Sequence, residues 1–192
     1  MVEYKTESGR PIDKANEKEF IICSDGGRAF GYITGKIEKE SGGELKEGEI
    51  RIRVGNNHEG LRHAKKHEVE AVHNGYTCIE QLIEDVAKNF DAIYRRTGRA
   101  HLSYTLVKYK KEFERNNVVA SIYFTIETDQ KENYYTVISA MPKRDRSLVT
   151  GIRKEHLVYS RTAIDPATIS NDGAVSNPVS NVVGATQDGL PT

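Results

Sequence analysis

The chain has 192 residues, and its 28 Lys and Arg balance 28 Asp and Glu to give a formal net charge of zero. That length suits one domain, or one domain with a tail, and excludes two ordinary domains; zero charge excludes a general attraction to nucleic acid or anionic membranes, so any basic surface must be local. Hydrophobic content of 37% and a mean hydropathy of −0.61 imply a modest core, for which ten Tyr and five Phe supply the bulk. Cys23 and Cys78 are too few for a disulfide framework and read as reduced, mostly buried thiols. No apolar run approaches the roughly 18 residues that cross a bilayer, and Met1 to Lys5 lacks a signal-peptide pattern. A cytoplasmic protein with no membrane partner is expected.

In chain order, residues 1–18 form a polar lead-in. Phe20 to Cys23 is a short apolar run ended by Ser24-Asp25-Gly26-Gly27, and Arg28 to Ile33 is expected to return as the second strand of a small hairpin. Ser41-Gly42-Gly43 breaks the chain, and Glu49 to Val54 alternates charged residues with Ile50, Ile52 and Val54, the period of a half-buried strand. A helix is expected from Leu61 to Asn74. A second begins at Thr77, where Thr77-Cys78-Ile79-Glu80 fits a capping box; Ile79, Leu82, Ile83, Val86, Phe90 and Ile93 recur at helical spacing, and Arg95-Arg96 close its far end. Leu102 to Tyr109, Val118 to Glu127 and Tyr134 to Met141 read as an antiparallel meander. Beyond Ile169 the composition turns to Ser, Asn, Gly, Val, Pro and Thr, which cannot bury enough surface to offset its ordering entropy. The expected organisation is a lead-in over 1–18, one α+β domain over 19–168 and a flexible tail or linker over 169–192.

The chemistry concentrates between Leu61 and Asn74. On one helix, His63, His67, Glu70 and Asn74 fall in a narrow stripe, opposite Leu61, Ala64, Ala71 and Val72. Two imidazoles one turn apart, among Arg62, Lys65 and Lys66, suit proton transfer beside a phosphate, because His titrates near neutrality and cations favour a developing anion. The composition fits RNA cleavage in which a base takes the 2′-OH proton, the alkoxide attacks the phosphate and an acid protonates the leaving 5′-oxygen, with no cofactor. Two other readings stand beside it: an ordinary solvated helix face, and a zinc site, for which His-Ala-Lys-Lys-His lacks the Glu after the first His and has no cysteine nearby. From the sheet, Tyr104, Lys108 and Ser139 are candidates to orient or stabilise a phosphate; Tyr104 and Ser139 read equally as core-edge hydroxyls making one hydrogen bond. Lys143-Arg144-Asp145-Arg146 is a basic cluster that suits RNA backbone or plain solubility.

From Phe30 to about Met141, somewhat over half the chain, the layout resembles the barnase/EndoU/colicin E5-D/RelE-like (BECR) nuclease domains of phage polyvalent proteins and bacterial toxins. The resemblance rests on Phe30-Gly31-Tyr32-Ile33-Thr34, Ile50-Arg51-Ile52-Arg53-Val54-Gly55, Gly60-Leu61-Arg62-His63 with a second His in the same helix, Gly75-Tyr76-Thr77 leading into Ile83 to Phe90, and Tyr134 to Ala140. It implies N-terminal helices packed on a C-terminal antiparallel sheet, and metal-independent transesterification of RNA, with transfer RNA as one candidate substrate. It carries catalytic roles to His63, His67, Ser139 and, more loosely, Tyr104; the residues themselves add Lys66 as a phosphate stabiliser and Arg62, Lys65, Lys108, Arg144 and Arg146 as RNA-binding candidates. The helix departs from the family pattern in placing Lys66 before a second His only four residues after the first. The implied partners are an RNA substrate, with no DNA expected, and an immunity or antitoxin protein in a bacterial host reached by phage or a mobile element. The alternative is a non-catalytic interaction domain of a phage or mobile-element protein that binds a host protein or RNA. ADP-ribosyl transfer is a further reading for which no Arg, Ser and Glu strand pattern is apparent.

Overall fold

The structure, a computed structural model, describes residues 4–96, 102–109, 116–127, 132–144 and 156–161. The expected tail, and Arg146, lie outside the described residues. The elements are β1 (Lys5–Thr6), β2 (Ile21–Ile22), β3 (Gly31–Ile33), α1 (Gly35–Glu40), β4 (Gly48–Arg51), α2 (Leu61–Ala64), a 3₁₀ turn (Lys65–His67), α3 (Glu68–His73), α4 (Ile79–Asn89), β5 (Ala92–Arg96), β6 (Ser103–Lys108), β7 (Asn116–Glu127), β8 (Glu132–Arg144) and β9 (Leu157–Ser160). The fold is α+β, with a curled seven-stranded sheet in the order β3-β4-β8-β7-β6-β5-β9 and few helices.

Alternation in the sequence marks β6, β7 and β8, which pair antiparallel as expected. The sheet is not purely antiparallel, however: β4 joins β8 in parallel, Ile50 opposite Tyr135, so the N-terminal half contributes strands to the same sheet. The registers Ser121↔Ser139 and Ile122↔Val137 leave Ile138 as an extra residue in β8, a bulge. The bulge frees the Ile138 carbonyl, which accepts from the Gly60 N–H at 2.9 Å.

The hairpin expected around Ser24 to Gly27 does not form. The turn closes on itself, Cys23 N–H to Gly27 carbonyl at 2.8 Å, while β2 pairs with β1 and β3 pairs with β4. Ile21 donates to Ile52 instead, at 2.9 Å. Apolar residues alone could not say which strand each run would meet.

Helix α4 carries the expected stripe: Ile79, Leu82, Ile83, Val86 and Phe90 share one buried cluster with Tyr104, Leu106, Ile122 and Val137. It ends at Asn89, earlier than the spacing predicts, because Phe90 is extended (φ −59°, ψ 146°) and Asp91 N–H bonds to the Val107 carbonyl at 2.8 Å. Ile93 keeps its burial by pairing in β5 with Leu106. Arg95, in the same strand, forms an ion pair with Glu44 rather than closing the helix. The start differs too. Cys78 is the N-cap and gives no side-chain cap; Glu68, from α3, accepts the Ile79 N–H at 2.8 Å, doing the work the capping box was expected to do.

Candidate functional site

The histidine segment is placed by the loop before it. Gly55 and Gly60 hold φ of +67° and +81°, and the Asn56 N–H reaches the Glu59 carbonyl at 2.9 Å. A helix start leaves N–H groups without intrahelical partners. Here the segment just after β4 takes them: Leu61 N–H donates to Arg53 at 3.0 Å and Arg62 N–H to Val54 at 2.9 Å, beside the Gly60 bond to Ile138 in β8. Helix α2 is thus docked on β8 by backbone, and buried Leu61 and Ala64 seal it to the core.

The expected continuous helix is broken. Residues 65–67 tighten to 3₁₀ geometry, in which each residue advances about 120° instead of about 100°, and this widens the angle between His63 and His67 by roughly 40°. The faces differ from expectation as well: Asn74 is buried, its amide donating to the Glu70 carbonyl at 2.8 Å, while Val72 is 48% exposed.

His63 Nδ1 lies 2.8 Å from the Asn57 carbonyl oxygen. A carbonyl only accepts, so Nδ1 carries the proton and Nε2 is left as the acceptor of the neutral ring. Lys66 Nζ donates to the same carbonyl at 2.7 Å and stands 3.5 Å from His63 Nδ1. His67 Nδ1 meets the Glu70 carboxylate at 2.8 Å, which fixes its Nδ1–H in the same way. An imidazole with a free Nε2 beside an ammonium can take a proton near an anion; an imidazole backed by a carboxylate can hold one.

The other predicted residues divide. Arg62 is a structural clamp, its guanidinium donating to the carbonyl of Ala15 at 2.9 Å and reaching those of Ile12 and Gly55 at 3.3 and 3.4 Å. Lys65 pairs with buried Glu80 at 2.8 Å, and Lys108 with Asp85 at 2.6 Å. Tyr104 is 1% exposed and donates to the Glu44 carbonyl at 3.3 Å; burial pushes its phenol up to about 12, so it keeps its proton. Ser139 is 7% exposed, and its Oγ has no partner among the described residues. Tyr104 lines up across the sheet with Ile122 and Val137, whereas Ser139 lines up with Ser121 and Thr105, so the two emerge on opposite faces. Arg144 is exposed at the end of β8. The structure therefore brings His63 and Lys66 together and keeps Tyr104 apart from Ser139.

No protein-family model, curated protein or solved structure matches the chain. Among the described residues, no helix is long and apolar enough to cross a membrane.

A second polar cluster, not anticipated from the sequence, ties the segment before β3 to α4. Lys88 Nζ sits 2.7 Å from Glu84 and 3.2 Å from Asp25. Tyr4 donates to Glu84 at 2.7 Å, and the Ser24 hydroxyl donates to the same carboxylate. The Cys23 thiol donates to Asp25 at 2.7 Å and Gly27 at 2.9 Å. Cys23, Asp25 and Glu84 hold their donor atoms within 4.8 Å of one another, a spacing a metal ion would accept. Lys88 already supplies the positive charge between the carboxylates, and burial pushes the Cys23 thiol up, so the sulfur keeps its proton. The set reads as a closed ion network. Its only sequence signal was Glu84 and Lys88 at i, i+4; Asp25 and Tyr4 approach from far along the chain.

Proposed function

We propose that this protein is a metal-independent endoribonuclease of toxin or phage type, acting in the cytoplasm of a bacterial host, with its helices laid on the sheet as in the BECR layout. The observation that carries the reading is the Asn57 carbonyl holding His63 Nδ1–H and the Lys66 ammonium together. His63 Nε2 is then available to take the ribose 2′-OH proton, and Lys66 supplies positive charge where the phosphate becomes more negative. His67, backed by Glu70, returns a proton to the leaving 5′-oxygen. The Ser139 hydroxyl, buried just after the bulge that anchors α2, makes no contact with the phosphate in this reading. Tyr104 stays a core residue in this reading. An immunity or antitoxin protein is the natural protein partner.

Incubation of the protein with total bacterial RNA in EDTA is expected to yield fragments ending in 2′,3′-cyclic phosphate. Intact RNA after prolonged incubation, or full activity in the His63→Ala, His67→Ala double variant, overturns the reading.

A second reading, a non-catalytic domain that binds a host protein or RNA, is favoured by one observation: Arg62, Lys65 and Lys108 are all engaged inside the fold. It predicts a stable stoichiometric complex with no RNA turnover.

A further inference from the structure

We infer that the cleft bordered by the two edge strands of the sheet is a binding groove for single-stranded nucleic acid, with Arg28, Lys36 and Arg161 holding phosphates and Tyr32 stacking a base. Strands β3 and β9 stand at opposite ends of the strand order, yet both line one open cleft of about 580 Å³ beside the end of α4. That volume suits a nucleotide unit, and ligand sites commonly fall in the range of about 300–1,000 Å³.

Its charge is one-sided. Four basic residues line it against Asp25 and Glu49. Each acid has a cation partner that it shares with a second carboxylate: Lys88 is 3.2 Å from Asp25 and 2.7 Å from Glu84, and Arg51 is 2.6 Å from Glu49 and 3.0 Å from Glu132. What remains is Arg28, Lys36 and Arg161. Arg28 reaches Glu7 only at 3.9 Å and Lys36 reaches Glu40 at 3.6 Å, both in solvent, and such pairs give way readily to a phosphate. Arg161 is set above the Phe90 ring at 5.7 Å, which orients its guanidinium.

Tyr32 supplies the second half of the recognition. It is 56% exposed on β3 and lines the cleft, whereas its neighbours Gly31 and Ile33 are buried. Burying a base on this ring would remove apolar surface from water that the fold alone leaves exposed. Cations that track a backbone plus an aromatic platform are the physical requirements of single-strand binding. Gly31 is fixed against α4: a Cβ there would lie 2.1 Å from the Ala87 carbonyl oxygen, so β3 is held closely on α4 and presents Tyr32 from a firm base.

The groove is separate from the histidine segment. Lys88 lies eight residues along α4 from Glu80, the partner of Lys65, or about 12 Å at 1.5 Å per residue. The preference for RNA over DNA rests on the ribonuclease reading; the strand itself does not.

The test is fluorescence anisotropy of the whole protein with fluorescein-labelled single strands of about 12 nucleotides, one of 2′-O-methyl RNA, which cannot be cleaved through its 2′-oxygen, and one of DNA. Saturable binding to the 2′-O-methyl strand is expected, and the Arg28→Ala, Lys36→Ala, Arg161→Ala variant should flatten the slope of log affinity against log salt by about 2. Tyr32→Ala should weaken binding roughly tenfold and Tyr32→Phe should retain it. Far-UV circular dichroism guards against misfolding, and single charge removals serve if the triple variant unfolds. No binding at low salt, or unchanged binding in folded variants, overturns the inference; so does displacement by micromolar AMP or inorganic phosphate, which would make the occupant a free small anion. Binding to these uncleavable strands, together with total RNA left intact in the EDTA incubation, would defeat the ribonuclease reading and leave this one standing.

Discussion

Gly60 packs backbone to backbone on Gly55: a Cβ added to Gly60 would lie 2.8 Å from the Gly55 Cα, and Gly60 holds φ +81°. Gly60→Ala meets both the conformational cost and the clash. We expect a loss of about 2–5 kcal/mol in urea unfolding. A loss under about 1 kcal/mol would show that the loop relaxes and that α2 is not anchored there.

The Lys65–Glu80 pair gives a different kind of prediction. Glu80 is buried with 5% side-chain exposure and Lys65 is 38% exposed, so Lys65→Met strands a carboxylate in the core. Discounted for solvent at Lys65, we expect a loss of about 1–3 kcal/mol. The Lys65→Met, Glu80→Met double variant should recover most of it. If Lys65 instead serves RNA, the double variant will be stable yet lose RNA binding, and the two assays separate these outcomes.

Acid stability should report on Asp25. The Cys23 thiol, the Gly27 N–H and Lys88 together hold its carboxyl down from 3.8 to about 2. A carboxyl depressed on folding stabilises the protein above its unfolded value, and that contribution is lost as pH falls from about 4 to about 2. The Asp25→Asn variant should therefore show a flatter stability profile across that window and converge with the parent below it. Superimposable slopes from pH 5 to 2 would mean that the network contributes nothing on folding.

His63 should be visible as a fixed tautomer. Long-range ¹H–¹⁵N correlation at a pH where the ring is neutral is expected to show Nδ1 protonated and Nε2 bare, because the Asn57 carbonyl can only accept. The opposite tautomer, which dominates in free neutral histidine, would remove Nε2 as the candidate base.

Much of the sheet and α4 could be read from residue order, because each leaves a local period. Val118, Ala120 and Ile122 alternate as a strand must, and Ile79 to Val86 recur as a helix must. The end of α4 leaves no such trace, because Ile93 continues the helical spacing while being buried for another reason, its pairing with Leu106. The parallel contact of Ile50 with Tyr135 has no local trace at all. At the candidate site, the i, i+3 spacing of His63 and Lys66 was legible on a helix. Arg62 looked like a ligand for RNA because its charge shows in sequence and its carbonyl partners at Ile12 and Ala15 do not.

The parallel union of β4 with β8 also orders events in time. Glu49 finds its place opposite Tyr134, so during synthesis β4, which has β3 beside it early, must wait for dozens of further residues before its second neighbour exists. Closing so long a loop is entropically unfavourable and slow. The β6–β7–β8 meander, whose partners are near in sequence, is the natural first-formed template, with β4 and β3 added to its edge afterwards. Until then Phe30, Ile50 and Ile52, all fully buried in the finished protein, face water, and this is the interval in which a chaperone would find the chain.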